Sequence, residues 1–434
     1  VSVGSGTGGT GAGRPVTHDV AGDRHSARSA ATGGAAATLD LAELPVIVTH
    51  DDPQHGVSAY AARIAATVEA RTGRHLALDV ADLLDVAEPH DGPEAGSATP
   101  VDPYLLDPEL LTTTALPPVV GGTPADPAPV DVVVPRAHLQ FTDRLWGPSP
   151  AAAADVVEHL ADGTALTVTL HDLPQPSDGE RNLRRRGEAY ARVVAVARGV
   201  VVNSEHERAL LRETIGFEGP VEVIPLPVDP HPLPAGRPEP DGDVAVVGFF
   251  YPGKGHAEVV AAVAGLAAGR PAAEAGRVGD DATRPVADVT GVVALGRASP
   301  GHEGELRQLV DEAAALGVPF GATGYLDDAT LLDRARRASV PVAAHQHVSA
   351  SGSIATWVAA GRRPLVPDTR YSREMATLRP GTLTLYPEGG LATAIAAALA
   401  DPASTWLDED AVTRPGLDEV ADAYAALWTD GVRW

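Results

Sequence analysis

The stretch Val244-Ala-Val-Val-Gly-Phe-Phe-Tyr-Pro-Gly-Lys-Gly-His256 decides how the chain is read. The apolar run Val244, Ala245, Val246, Val247 is a buried-type strand ended by Gly248, and a turn with Pro252 and Gly253 follows. Beyond Gly255, Val259, Val260, Val263 and Leu266 recur at helical spacing. Strand, tight loop and helix start in succession form the repeating unit of a parallel α/β sheet. The loop also holds Lys254, the one lysine among 434 residues. Backbone N–H groups without partners at a helix N-terminus, with an ammonium beside them, make a seat for a phosphate or diphosphate. Most lysines are solvated surface residues. A single one, set between two glycines in a chain that otherwise uses arginine, points to a site.

The same alternation extends outward in both directions. Pro45–Thr49 reads as a strand, His50–Gly56 as a polar loop, and Tyr60, Ile64, Ala65 and Val68 as a helix face that stops near Gly73. Further strands are expected at Leu76–Val80, Val130–Val134, Ala165–Leu170, Val200–Val202 and Val221–Leu226. The helices between them fall at Ala151–Leu160, Arg181–Ala197 and Glu205–Glu213, the last capped by Ser204. Residues 90–130 read as loop or insertion. Seven prolines in the sixteen positions Pro225–Pro240 mark a linker. After Val244 come strands at Gly291–Gly296, Pro319–Thr323, Val340–Ala344 and Arg363–Pro367, with Gly269–Asp288 a polar excursion. Helices are expected at Gly304–Leu316, Ala329–Arg337, Ser353–Ala360, Leu391–Ala400 and Leu417–Trp428.

The expected fold class is therefore α/β, with two Rossmann-like doubly wound parallel-sheet lobes facing across a cleft. Residues 1–40 are expected to be a disordered tail, 41–228 the first lobe, 229–241 the linker and 242–410 the second lobe. Residues 411–434 would be a C-terminal helix packing back on the first lobe.

Composition narrows the function. With 33 basic against 58 acidic residues the net charge is −25, which argues against nucleic acid or an anionic bilayer as partner. Cysteine is absent, so disulfides, thiol catalysis and thiolate metal sites are excluded. No transmembrane segment and no secretory signal is legible, and a cytoplasmic protein is expected. His345-Gln-His347 lacks a neighbouring carboxylate, so no metal is expected. The four arginines in Arg181–Arg186 read as a solvated helix face. No nucleophile elbow, Walker loop or Gly-x-Gly-x-x-Gly after a strand is present, which sets aside hydrolase, P-loop and dinucleotide-dependent oxidoreductase readings.

Over residues 45–400 the order of motifs resembles the retaining, nucleotide-sugar-dependent glycosyltransferases of family four, which have the GT-B fold. Val200–Leu211 with Val221–Asp229 is similar to the segment leading out of that family's first lobe, and Val247–Gly255 to its diphosphate loop. Thr323–Asp333, Ser351-Gly-Ser353 and Ala359–Val366 resemble its donor-binding half. The resemblance implies transfer of a sugar from a nucleotide diphosphate sugar to an acceptor, with retention, without a metal and with no cofactor beyond that co-substrate. The acceptor could be a sugar, a lipid-linked sugar or a small metabolite, held by the first lobe while the second holds the donor.

By the same resemblance Lys254, with Gly248 and Gly255, meets the donor diphosphate, and Gly56 lets backbone approach it from the other side. Tyr325 and Leu326 lie near the base, and Ser351, Gly352 and Ser353 bind a phosphate or hydroxyl. The family's first-lobe histidine has two candidates for a catalytic part, His138 and His171. The chain also departs from the pattern. Phe249 and Phe250 stand where an arginine is usual, with His256 or Arg297 as stand-ins. Gln140 replaces the second histidine of a His-x-His, and Val348–Trp357 contains no acid where the family has a glutamate pair. Those absences keep two alternatives open, a non-catalytic nucleotide-sugar-binding module and a nucleotide-sugar epimerase.

Overall fold

The computed structural model describes residues 44–50, 52, 54–73, 77–80, 134–233, 236–268 and 289–434. The expected tail at 1–40, the loop at 90–130 and the excursion at 269–288 lie outside the described residues, apart from positions before and after them.

Two six-stranded sheets carry the chain. The first comprises β1 (Val46–Thr49), β2 (Ala77–Asp79), β3 (Arg136–Phe141), β4 (Ala165–Leu170), β5 (Gly199–Val202) and β6 (Val221–Val223), in the spatial order β2-β1-β3-β4-β5-β6. The second comprises β7 (Asp243–Val247), β8 (Gly291–Leu295), β9 (Phe320–Ala322), β10 (Val340–Val342), β11 (Leu365–Pro367) and β12 (Thr384–Tyr386), in the order β12-β11-β10-β7-β8-β9. Every pairing is parallel. Helices cover the faces, so central strands such as Val244–Val247 are buried on both sides and read as continuous apolar runs. The α/β class and the two doubly wound lobes are as the sequence implies.

Strand order locates the sites. In the first sheet the chain reverses direction between β1 and β3, and in the second between β7 and β10. At such a switch point the loops leaving two adjacent strands part in opposite directions and open a crevice beyond the strands' carboxyl ends. In the second lobe those loops are Gly248–Gly255 and residues 343–351. In the first they are the segment of residues 50, 52, 54 and 55 and the turn after Phe141.

One strand was not foreseen: β3 at Arg136–Phe141 lies just past the segment read as Val130–Val134, of which residues 130–133 are outside the described residues and Val134 is buried and in no strand. The polar residues His138 and Gln140 hid β3 from an apolar-run reading. They are tolerated at full burial because they bond to each other and to their neighbours. The helix Arg370–Leu378 and the strand β12 were also not legible, both being short and sparsely apolar.

The last helix, Leu417–Ala426, packs on Gly56–Thr72 of the first lobe. There Tyr60, Ile64, Val68, Val420, Tyr424 and Trp428 form one buried cluster, and Arg71 pairs with Asp422 at 2.5 Å. The lobes also meet directly. Glu374 of the helix Arg370–Leu378 accepts from the backbone N–H of Glu205 (2.6 Å) and His206 (2.8 Å), a carboxylate placed on the N-terminus of the helix Glu205–Leu210. Ser349 accepts from Leu173 N–H at 2.9 Å and donates to Glu207 at 2.5 Å. Because Leu173 follows β4 and Ser349 follows β10, the carboxyl ends of the two sheets face each other.

Candidate functional site

On the second-lobe side the site is built around Lys254. Its side chain is only 6% exposed, and Nζ donates to Ser353 Oγ at 2.7 Å. Among the described residues no carboxylate pairs with it, and burial pushes its ammonium down to about 7. Gly248 and Gly255 hold this geometry for two reasons each. Their φ values are +105° and +96°, which favour glycine. A Cβ on Gly248 would stand 3.0 Å from Ser353 Oγ and 3.2 Å from Lys254 Nζ, and one on Gly255 only 2.2 Å from Ala344 O. The loop thus has room for the lysine and no more.

Two helix starts converge there. His256–Ala268 begins just past Lys254, and Gly352–Ala359 begins just before Ser353. Ser351 caps the second helix by accepting from Ile354 N–H at 3.2 Å, while its own N–H donates to Tyr371 OH at 3.0 Å. The N–H groups of Gly352 and Ser353, at the first helical positions, have no partner within the helix by geometry. The neighbouring imidazoles are neutral. His256 is pushed down to about 3 by burial and then by Lys254, and His345 goes well below its usual value for the same two reasons. Positive charge therefore comes from a single ammonium backed by two sets of N–H dipoles.

This loop faces the other lobe. Tyr251, three residues before Lys254, has its hydroxyl raised to about 12 by burial and next by the charge of Asp172 in the first lobe, with Arg144 opposing. Asp172 follows His171 and has φ +50°, a strained conformation for a residue with a side chain. Arg186 holds it, bonding to the Asp172 carboxylate (3.0 Å), Asp143 (3.1 Å) and Asp178 (2.7 Å), while Tyr190 OH donates to His171 O at 2.7 Å. Arg181, Arg184 and Arg185 are exposed, as a solvated face requires, whereas Arg186 is tied into the site's frame.

His171 is 6% exposed and its Nε2 lies 2.6 Å from Gln140 Oε1, with its ring edge-on to Tyr60 at 5.7 Å. Burial, and next His55, push it down to about 3, so it is neutral. His138 is fully buried in mid-strand, with Nδ1 at 2.9 Å from Thr167 Oγ1 and Nε2 at 3.1 Å from Gln140 Nε2. It has no surface from which to touch a ligand. His55 caps the helix Gly56–Thr72, its Nδ1 accepting from Val57 N–H at 3.2 Å. Gly56 opens that helix with no positive φ, and a Cβ there would meet none of the described residues within 4 Å.

The remaining candidates separate. Tyr325 is 57% exposed at the carboxyl end of β9, while Leu326 packs partly buried against the second lobe's core. Arg297 lies in the loop after β8 with its guanidinium over the Phe249 ring at 5.1 Å, and Phe250 N–H donates to Arg297 O at 2.8 Å. Among the described residues no group of three or more His, Asp or Glu could hold a metal. Nor is any helix long and apolar enough to cross a membrane.

Two participants escaped the sequence reading. Gln140 joins the two histidines, and Glu207, fully buried, is raised to about 7 by burial against the opposing hydrogen bonds from Ser349 and Asn203 N–H. A period-two pattern of polar residues in a central strand could have flagged the first. The second has one partner four residues away, Asn203 N–H, but the other, Ser349, lies 142 residues away and left no signal.

Neither the protein-family comparison nor the comparison with curated proteins finds a match. Among solved structures, HepE of Anabaena in complex with UDP and glucose is similar at 17% identity, covering 68% of this chain and 74% of that one, with TM-score 0.47. Sucrose-phosphate synthase from Thermosynechococcus elongatus is similar at 20% identity over 68% and 69%, with TM-score 0.47. TarM is similar at 10% identity over 69% of this chain and 52% of that one, with TM-score 0.45. The fold assignment rests on this chain's own two sheets.

Proposed function

We propose that the chain is a glycosyltransferase that moves a sugar from a nucleotide diphosphate sugar, seated on the second lobe, to an acceptor hydroxyl presented from the first lobe. The observation that carries this reading is Lys254, a buried ammonium without a counter-anion among the described residues, hydrogen-bonded to Ser353 where two helices begin. Leaving a cation unpaired in a dry site costs stability unless a ligand supplies the anion. A diphosphate supplies two negative groups at the spacing of one loop.

In the reaction the bond from sugar C1 to the β-phosphate oxygen breaks and a bond from C1 to the acceptor oxygen forms. With retention, the acceptor's proton leaves on the departing phosphate. Lys254 and the N–H groups of Gly352 and Ser353 offset the charge growing on that phosphate, an effect strongest where water is excluded. Tyr325 would lie against the base, and Gly56 would let the opposite backbone approach the ligand. No metal enters this scheme.

Calorimetry with UDP, GDP and their sugars, followed by a donor-turnover assay with and without EDTA, tests the reading. Binding of a nucleotide sugar with turnover unaffected by EDTA is expected. Val348–Trp357 offers no acid to hold sugar or ribose, and this favours a binding module as the second reading. Tight binding without turnover on any acceptor would establish it, and failure of every nucleotide sugar to bind would remove both.

A further inference from the structure

His171 sits at the end of a directional chain of hydrogen bonds. A separation of 2.6 Å between His171 Nε2 and Gln140 Oε1 suits an N–H···O contact. With its oxygen turned to His171, the Gln140 amide nitrogen is left to donate to His138 Nε2 at 3.1 Å, and the Thr169 hydroxyl, at 2.8 Å from Tyr424 OH, stands at the same 3.1 Å from that nitrogen as a second donor. His138 then carries its proton on Nδ1, donating to Thr167 Oγ1 at 2.9 Å, and Thr167 passes its own to Ala137 O at 3.5 Å. His171 Nδ1 has no hydrogen-bond partner among the described residues.

We infer that Gln140 is a positioning residue that holds His171 as its Nε2–H tautomer, so that the Nδ1 lone pair is presented to a hydroxyl of the bound sugar or acceptor. The inference rests on the proposed sugar transfer for the identity of that hydroxyl, but not for the tautomer. Its logic is that an amide, unlike a carboxylate, fixes which nitrogen bears the proton without stabilising the imidazolium. The groups around His171 are consistent with a neutral acceptor. His55 stands at the cap of the helix Gly56–Thr72 and Tyr60 lies on that helix, while His138 and Gln140 come from β3. Thr169 of β4 and Tyr424 of the last helix bond at 2.8 Å behind His138, and Asp172, the nearest acid in sequence, is bound to Arg186.

The test begins without substrate. In ¹⁵N-histidine NMR of the whole chain, His171 is expected as the neutral Nε2–H tautomer from pH 5 to 8. An Nδ1–H tautomer there would overturn the inference. Two variants then link tautomer to turnover. Gln140→Leu should mix the tautomers and lower kcat/KM on the order of tenfold, as the loss of one hydrogen bond suggests. Gln140→Glu should restore the Nε2–H bond yet stabilise the imidazolium, moving the acid limb of kcat/KM to higher pH. A role confined to packing would change stability alike in both variants and leave tautomer and acid limb in place, which refutes the proposal. If the tautomer is found as expected but no nucleotide sugar binds, the functional reading fails while the positioning by Gln140 is supported.

Discussion

The two walls of the cleft are organised on opposite principles. The second lobe's wall concentrates charge on a single buried ammonium, with helix N–H groups behind it and neutral imidazoles beside it. The first lobe's wall holds a string of neutral polar groups, His171, Gln140, His138 and Thr167, arranged so that each donates in one direction. Charge needs one residue and a dry setting. Direction needs several residues whose partners agree. Damage to the second wall should therefore be abrupt and local, whereas damage to the first should be graded.

The contrast is broken most directly by Lys254→Ala, which is expected to lower kcat by about 10² to 10³, the range for loss of one preorganised contact to a developing anion. Gln140→Leu on the opposite wall should lower kcat/KM by only about tenfold. A transfer assay on purified variants measures both. Equal losses would mean that charge and direction are not divided between the lobes as described.

Titration sharpens the comparison. Lys254 is lowered to about 7, so between pH 7 and its unfolded value the unfolded chain binds more protons and stability rises with pH. Glu207, raised to about 7, retains a proton in the folded state down to its unfolded value, so across that lower window stability falls as pH rises. Together these groups should produce a minimum near neutrality, with slopes amounting to a few kcal/mol, on the order given by shifts of a few pH units. Urea unfolding from pH 4 to 10 reads it. In Lys254→Met the upper slope should vanish while the lower remains. Diphosphate binding should return the ammonium to its usual range, so calorimetry in two buffers at pH 8 should register proton uptake.

The contact between the walls ranks next. Ser349 accepts from Leu173 N–H and donates to Glu207, so Ser349→Ala leaves a buried donor without a partner and the Glu207 carboxyl with Asn203 N–H alone. A loss of about 1–3 kcal/mol in urea unfolding is expected. A change within a few tenths would show that the lobes are held by the other contacts, such as Glu374 on the start of the helix Glu205–Leu210.

What the sequence disclosed follows the same division. β7 was legible because a strand buried on both faces is apolar at every position, and the Lys254 loop because glycine and a solitary lysine are local signals. The two-lobe alternation followed from strands and helices each long enough to show a period. β3 was hidden because it carries His138 and Gln140 inside a sheet, against the expected apolar run. Glu207 and Ser349 were hidden more deeply, since the buried carboxyl has one of its two partners, Ser349, in the other lobe. Ser351 was read as free to bind a ligand. In the folded chain it is taken by its own helix and Tyr371, its neighbour Ser349 is taken by Leu173 and Glu207, and Ser353 is the serine at the lysine. Local chemistry could be read from the chain, whereas hydrogen bonds already spoken for could not.

Gly56 offers the smallest effect on stability and the cleanest separation of fold from ligand. A glycine at a site is usually explained by a positive φ or by crowding, and neither applies among the described residues, because Gly56 has no positive φ and a Cβ there would meet none of them within 4 Å. Gly56→Ala should therefore leave stability within about 0.5 kcal/mol, as for a surface change at a helix start. If the donor's diphosphate comes up against this backbone, the added methyl must stand in its way, and KM for the donor should rise several-fold while the melting temperature holds. Unchanged KM and unchanged melting together would place the diphosphate on the second lobe alone, with the helix Gly56–Thr72 serving only to carry Tyr60 toward His171.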